Sequence, residues 1–106
     1  MDFGEIKLKA LALRTELLQQ NIQVDSILLF GSHAEGKATI ESDIDLAVVS
    51  KDFGKDRFQE GVLCNRLAYK IDSTIEVIPL SVAQYLDLNC IIPIIHEIQK
   101  KGVSLI

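Results

Sequence analysis

The chain has 106 residues, 48% of them hydrophobic and 25% charged, with a formal net charge of −4. This composition predicts one folded domain rather than a disordered chain, and the acidic balance excludes an extended nucleic-acid surface. A charged N-terminal segment and short apolar runs argue against a signal peptide and a membrane span, so we expect a soluble cytoplasmic protein.

An amphipathic helix is the first predicted element. Asn21 is a natural stop for a helix over about 3–20, because asparagine tolerates the left-handed conformation that ends many helices. The apolar run Ser26–Phe30 then predicts a buried strand. The helix itself is indicated by apolar residues at the spacing of one helix face, namely Ile6, Ala10, Leu13 and Leu17.

A glycine–serine turn follows this strand. Gly31-Ser32 is expected to open into a short helical segment near 33–37, and a polar loop then leads to a second strand over 43–50. Glycine lets the backbone approach a phosphate closely, serine adds a hydroxyl donor, and a helix N-terminus adds a positive dipole end. The turn is therefore a candidate phosphate site, although Gly-Ser also ends many strands that bind nothing.

The second half of the chain predicts two long stretches of helix around a third strand. Ser81 and Gln84 resemble a capping box, and Pro93 is tolerated in the first turn of a helix that Gly102 ends. In chain order the elements are a helix over 56–71, a strand over 73–79, a short helix from Ser81, a last helix from Pro93 to Lys101, and a tail or edge strand over 103–106.

Two aspartates in the second strand are the strongest chemical signal. Asp43 and Asp45 stand at i and i+2, so their carboxylates lie on one face, about 6.5 Å apart along the strand. Aspartate is depleted in strands, and the repulsion between two such charges would be offset by a divalent cation such as Mg²⁺. The plainer alternative is that both residues cap the start of the strand and stay solvated. A metal clamp beside a phosphate turn suits nucleotidyl transfer.

Glu76 and His33 are two further candidates. Glu76 interrupts the third predicted strand and reaches the face of the aspartates if the two strands are neighbours. His33 directly follows the turn and is able to contact a phosphate. Each also has an ordinary interpretation, Glu76 as a solvent-facing acid and His33 as a surface residue at a helix start.

The cysteines and one isoleucine-rich segment predict structure rather than chemistry. Cys64 and Cys90 are isolated, so we expect free thiols, with Cys64 packed as a small hydrophobe. The segment Asn89–Ile95, NCIIPII, holds four isoleucines. It belongs either to the core or to a surface that binds a partner or a second copy in a homo-oligomer.

The segment GSHAEGKATIESDIDLAVV resembles the signature of the DNA polymerase β-like nucleotidyltransferases, a Gly-Ser pair followed at a set spacing by Asp-x-Asp. Here ten residues separate Gly31-Ser32 from Asp43-Ile44-Asp45. The short length resembles the minimal nucleotidyltransferase branch, and the likeness covers about residues 24–80. It implies an α/β (α+β) fold, a small mixed β-sheet with helices packed on it, as a single minimal nucleotidyltransferase domain over residues 1–106.

The resemblance also implies an activity. A nucleotidyltransferase of this kind takes ATP as substrate and uses two Mg²⁺ ions as cofactors, and its third carboxylate helps to deprotonate the acceptor hydroxyl. The residues that match are the catalytic and metal-binding carboxylates Asp43, Asp45 and Glu76, and the phosphate-binding residues Gly31, Ser32 and His33.

The resemblance implies a partner as well. Minimal nucleotidyltransferases are often encoded beside a small helical HEPN protein as the antitoxin of a toxin–antitoxin pair, and some transfer AMP to a tyrosine of the toxin. This chain departs from its relatives at His33, where arginine is common, at Glu35, where arginine or an aromatic residue is common, and at Glu76, where aspartate is usual. A second interpretation is therefore an antitoxin that binds nucleotide but neutralises its partner by docking. A doubly wound regulatory domain would need about five parallel strands, more than the pattern predicts.

Overall fold

The computed structural model describes residues 2–106, and the mixed α/β fold expected from the sequence is confirmed. Its strands form one four-stranded sheet in the order β3-β2-β1-β4. Within the described residues, each helix is too short or too polar to cross a membrane. The elements are α1 (Phe3–Gln19), β1 (Ser26–Phe30), β2 (Ile44–Val49), α2 (Arg57–Ile71), β3 (Ile75–Leu80), α3 (Val82–Leu86), α4 (Pro93–Lys101) and β4 (Val103–Ser104).

The sheet combines antiparallel and parallel pairing. β1 is antiparallel to β2, whereas β3 is parallel to β2 and is reached through α2, because a parallel neighbour needs a crossover connection. The antiparallel register pairs Phe30 with Asp45, and the parallel register pairs Asp45 with Glu76. The end of β1 and the starts of β2 and β3 therefore lie side by side.

One face of the sheet is covered by α1 and α2. The α1 residues buried there are the four that the apolar spacing predicted, and they pack with alternate residues of β1, β2 and β3. Cys64 of α2 is fully buried in the same cluster. Burial, with a smaller contribution from the charge of Glu60, raises the pKa of the Cys64 thiol to about 12. Cys64 and Cys90 are both free thiols, as expected.

The opposite face is covered by α3 and α4. Ile95 and Ile98 of α4 are fully buried against Leu28 and Phe30 of β1, because these side chains alternate with those that face the other cluster. The isoleucine-rich segment is therefore divided. Ile95 belongs to the core, whereas Ile91, in the loop before α4, is 93% exposed.

The predicted element ends agree closely with the structure. Asn21 has a φ of +63° and ends α1 in the left-handed conformation. Ser81 and Gln84 form the expected capping box of α3, each side chain accepting a hydrogen bond from the backbone of the other. Pro93 opens α4, and the N–H of Gly102 donates to Ile98 O at its end.

The short helix expected near 33–37 is wrong, because this segment forms turns. The N–H groups of Ala34 and Glu35 both donate to Gly31 O, at 3.1 Å each, so one helix-like turn begins. Gly36 then has a φ of +71°, which stops a helical ladder from continuing.

The edge strand β3 is paired by a side chain of α2. The Asn65 amide accepts a hydrogen bond from Val77 N at 2.8 Å and donates to Val77 O at 3.0 Å and to Gly61 O at 2.8 Å. The side chain thus satisfies both backbone groups of Val77, which has a strand neighbour on one side only. Asn65 fixes β3 against α2 in the register that places Glu76 beside Asp45.

Candidate active site

The predicted site residues lie at one end of the sheet, on the side of α3 and α4. Because side chains alternate along a strand, Asp45 shares its face with Ala47 and Val49, which pack in the core beneath α3 and α4. Glu76 lies on the same face in the neighbouring strand. Asp45 is half-buried, whereas Asp43 and Glu76 are exposed.

Gly31 directly adjoins Asp45. It follows the last residue of β1 with a φ of +73°, a conformation that favours glycine. A β-carbon at this position would overlap the Asp45 carboxylate oxygen and lie 3.2 Å from its carboxyl carbon. Glycine is therefore needed here for two reasons, its backbone conformation and the close approach of the aspartate.

The chain after Gly31 folds back on itself. Lys37 N donates to Ser32 O at 2.9 Å, which closes the turn begun by the bonds to Gly31 O. The His33 ring nitrogen Nε2 lies 3.4 Å from Ser42 O, and so joins the turn to the residues just before β2. The turn and the two aspartates thus belong to one connected unit. The predicted helix dipole does not contribute, because no helix forms at 33–37.

Negative charge accumulates around Asp45. Burial is the main cause that raises the pKa of Asp45 above its usual value, followed by the charges of Glu76, Asp43 and Glu97. His33 acts in the opposite direction and lowers this pKa. Four carboxyl groups therefore interact with only partial compensation from the imidazole, and this is an environment that favours a bound cation.

The donor set fits magnesium in kind, because Mg²⁺ prefers hard carboxylate oxygens. The side chains are not gathered into a finished site: within residues 2–106, no three carboxylate, imidazole or thiol groups lie close enough together to hold a metal ion. Asp45 and Glu76 are adjacent in register, so bringing them together requires side-chain movement alone.

Glu97 is the carboxylate that the sequence analysis missed. It lies on α4, is half-buried, and is close enough to Asp45 to raise its pKa. The helix period indicates where Glu97 lies, because residues three and four positions apart share a helix face. Ile94, which shares the face of Glu97, packs on the sheet together with Ile98. An acid on the apolar face of an amphipathic helix is the signal that could have identified it.

A cleft of about 210 Å³ opens beside the turn. It is smaller than the usual volume of a pocket for a drug-sized ligand, and of the predicted site residues His33 alone lines it. A larger hollow of about 370 Å³ lies at the other end of β1, near Arg14 and Gln23, and none of the predicted site residues line it. The residues lining the smaller cleft are His33, Thr39, Ile40, Ser42, Ile44, Asp72 and Thr74.

Comparison with known proteins gives a family match over most of the chain. The model of the family described as polymerase beta, nucleotidyltransferase, matches residues 14–106. A relative from Haemophilus influenzae, named as a protein adenylyltransferase, MntA, is 33% identical over 72 residues, covering 64% of this chain and 63% of the relative. The matched part thus spans less than two thirds of that relative's length.

Two solved structures share the fold. A Sulfolobus solfataricus protein described as a nucleotidyltransferase superposes with a TM-score of 0.59 at 19% identity, covering 98% of this chain and 87% of that one. A toxin–antitoxin structure with AMP-PNP gives a TM-score of 0.61 at 24% identity, covering 94% and 72%. At these identities the likeness establishes the fold alone.

Proposed function

This chain belongs to the polymerase β nucleotidyltransferase family, and from that membership we propose that it transfers AMP from ATP to a hydroxyl of a partner protein in a magnesium-dependent reaction. The observation that carries the proposal is the close approach of Gly31 and Asp45. It joins the turn, as a candidate phosphate site, to Asp45 and the carboxylates that interact with it, namely Asp43, Glu76 and Glu97. The relative named as a protein adenylyltransferase supports a protein as acceptor. Residues 1–106 would act as one minimal domain.

In the proposed reaction, Gly31, Ser32 and His33 hold the phosphates of ATP through backbone N–H groups, a hydroxyl and an imidazole. The acceptor oxygen attacks the α-phosphorus in line. The bond from the α-phosphorus to its bridging oxygen breaks, and pyrophosphate leaves with that electron pair. Glu76 takes the proton of the acceptor hydroxyl.

The carboxylates Asp43, Asp45 and Glu76 would hold Mg²⁺, which neutralises phosphate charge when it is bound. Two ions are expected from the pattern of such sites. The half-buried position of Asp45 strengthens its interaction with a cation, since screening by water is weaker there than at an exposed site.

The proposed acceptor is a tyrosine of a helical HEPN-type toxin, with this chain as the cytoplasmic antitoxin. Support comes from the toxin–antitoxin structure that shares the fold and from the adenylyltransferase relative. An antitoxin of this kind would silence the toxin by placing an AMP group on it.

The test is a transfer assay with the purified chain, its neighbouring gene product and ATP labelled at the α-phosphate. We expect label on the partner with Mg²⁺ and none with EDTA. ATP labelled at the γ-phosphate should give no label, which separates AMP transfer from phosphorylation. Absence of label on any protein or small acceptor with Mg²⁺ present would contradict the proposal.

Variants assign the roles. Asp45→Asn should abolish transfer, and Glu76→Gln should lower its rate about a thousandfold, the loss of several kcal/mol of transition-state stabilisation. Glu41→Gln is the matched control, because Glu41 is an exposed acid of the loop that precedes β2. Near-normal transfer by Glu76→Gln would mean that the third carboxylate is another residue.

A second candidate, an antitoxin that acts by docking alone, is favoured by one observation. The carboxylates within residues 2–106 are not converged into a metal-holding group. A toxin-rescue growth assay separates the two functions. Rescue by Asp45→Asn as complete as by the wild type would favour docking, whereas loss of rescue would favour transfer.

A further inference from the structure

The C-terminal end of α4 lies beside the turn that follows β1. β1 and β4 are antiparallel, with Leu28 opposite Ser104 and Leu29 opposite Val103. Lys101, the last residue of α4, stands two residues before β4, and its Nζ lies 3.4 Å from Oε1 of Glu35 in the turn. A cation carried by α4 therefore stands beside this turn.

Gly102 permits this arrangement. A β-carbon at position 102 would lie 2.5 Å from Ile98 O and 3.1 Å from the Leu28 side chain. Only glycine allows the end of α4 to approach β1 this closely before the chain continues into β4. The location of Lys101 thus depends on packed backbone rather than on a mobile loop.

Lys101 is paired with an acid of the turn. Its Nζ lies 3.4 Å from Glu35 Oε1, and Lys37 Nζ lies 4.0 Å from the same oxygen. Glu35 is itself held to the turn, since its N–H donates to Gly31 O at 3.1 Å. Side chain exposures of 56% for Lys101 and 28% for Glu35 make this a weak pair that exchanges readily.

The proposed substrate needs such a cation. ATP brings a highly charged triphosphate to a region where Asp45 already interacts with three other carboxylates. Lys101 and Lys37 are cations whose partner belongs to the turn itself. Phosphate oxygens are stronger partners for an ammonium group than a partly exposed carboxylate, because they carry more charge.

We propose that Lys101 binds the triphosphate of the nucleotide and that Glu35 holds this lysine in place until the phosphate displaces it. The inference rests on the proposed function and adds a cation and a competing anion to its binding site. Glu35 then acts as an internal competitor that weakens nucleotide binding. The pairing of Glu35 with Lys101 explains how an acid is tolerated beside a turn that binds phosphate.

The test compares three variants by calorimetric titration with Mg²⁺-ATP and, separately, with inorganic tripolyphosphate. Lys101→Gln should weaken both ligands about tenfold, the effect of one charge-assisted hydrogen bond. Glu35→Gln should strengthen the binding of both ligands about threefold, because the phosphate no longer competes with Glu35 for the lysine. Lys100→Gln, an exposed neighbour of Lys101 on the same helix, should bind as the wild type does.

The two variants are expected to change the affinity in opposite directions, and this difference decides the test. If the ion pair serves only to fasten the turn to α4, Glu35→Gln and Lys101→Gln will weaken binding alike, and the inference is overturned. It is also overturned if Lys101→Gln binds both ligands normally while the wild type binds ATP, which leaves the proposed function standing. A wild type that binds neither ligand contradicts both. Thermal unfolding of each variant checks that the fold is retained.

Discussion

The carboxylate of Asp45 lies so close to Gly31 that a β-carbon at position 31 would overlap its oxygen and force the carboxylate to move. Gly31 directly follows β1 and Asp45 lies in β2, and the register that pairs Phe30 with Asp45 brings them together. The turn that begins at Gly31 and the carboxylates around Asp45 are consequently not independent parts. A change in either one must shift the other.

The Gly31→Ala variant tests this contact. We expect it to lose about 2 kcal/mol or more of stability, from the left-handed backbone and the overlap with Asp45, and to lose ATP binding. Gly36→Ala is the control, because Gly36 has a similar φ of +71° but open space around its Cα. It should lose about 1 kcal/mol from backbone strain alone and still bind ATP. Equal losses in urea unfolding for both variants would show that the contact contributes nothing.

Asp45→Asn should stabilise the metal-free protein at pH 7. Burial and neighbouring carboxylates raise the pKa of Asp45 above 3.8, so the native state binds this proton more tightly than the unfolded chain does. The protonated group contributes stability fully at acid pH, and that contribution is lost as pH rises through the raised pKa. Asparagine never carries the charge. The stability difference from the wild type should therefore be largest at pH 7 and vanish below about pH 4.

Urea unfolding in EDTA at these two pH values measures the effect, with Glu41→Gln as the charge control. Adding Mg²⁺-ATP should reverse the order, stabilising the wild type but not Asp45→Asn. A variant less stable than the wild type at pH 7 without metal would contradict the repulsion inferred around Asp45.

Lys9→Met should lower the free energy of unfolding at all pH values except in strong acid. Hydrogen bonds from Lys9 first, and then from Thr74, lower the pKa of Asp72 to about 2. A lowered pKa contributes stability above pH 4 that is lost as pH falls towards 2. We expect a loss of about 1 kcal/mol at pH 7, seen in urea unfolding, that disappears near pH 2.

Lys9 and Asp72 form an ion pair between α1 and the end of α2, with side chains 27% and 14% exposed, and Lys70→Met is the control for it. Lys70 and Glu16 also connect α2 with α1, at 3.7 Å, but their side chains are 60% and 30% exposed. An exposed pair contributes little, so this variant should lose less than about 0.5 kcal/mol. Equal losses for the two variants would show that burial of the Lys9–Asp72 pair is unimportant.

Asn65→Ala should cost about 2–3 kcal/mol, because it leaves the N–H and C=O of the buried Val77 without their side-chain partner. Asn89→Ala is the control, since Asn89 is exposed and its recorded hydrogen bond comes from its backbone N–H. Chemical unfolding measures both. A cost below 0.5 kcal/mol for Asn65→Ala would mean that water replaces the amide at this edge.

Local sequence rules were sufficient for most elements. The stop at Asn21, the capping box at Ser81 and the proline start of α4 depend on residues only a few positions apart, and each is confirmed. The helix expected at 33–37 is wrong because Gly36 in the left-handed conformation interrupts the ladder after one turn. Glycine adopts this conformation without steric cost, so Gly36 is itself a local signal against a continuing helix.

The site could be predicted only in part. Spacing identified Gly31, Asp43 and Asp45 as candidates, because they lie in one short segment. Glu97 and Lys101 were missed, since their nearness to the turn follows from the packing of α4 and the register of β4. For Glu97 the helix period places the acid on the packed face of α4, but it does not say that this face meets Asp45.

The edges of the sheet have a consequence for how the protein behaves at high concentration. An exposed strand edge is a template for pairing with strands of other molecules, which leads to aggregation. Here β4 is only two residues long, and β3 carries Pro79, which lacks an N–H, while Asn65 occupies the backbone groups of Val77. Both edges are thus poor templates, and resistance to intermolecular strand pairing is built into the same residues that set the register of the sheet.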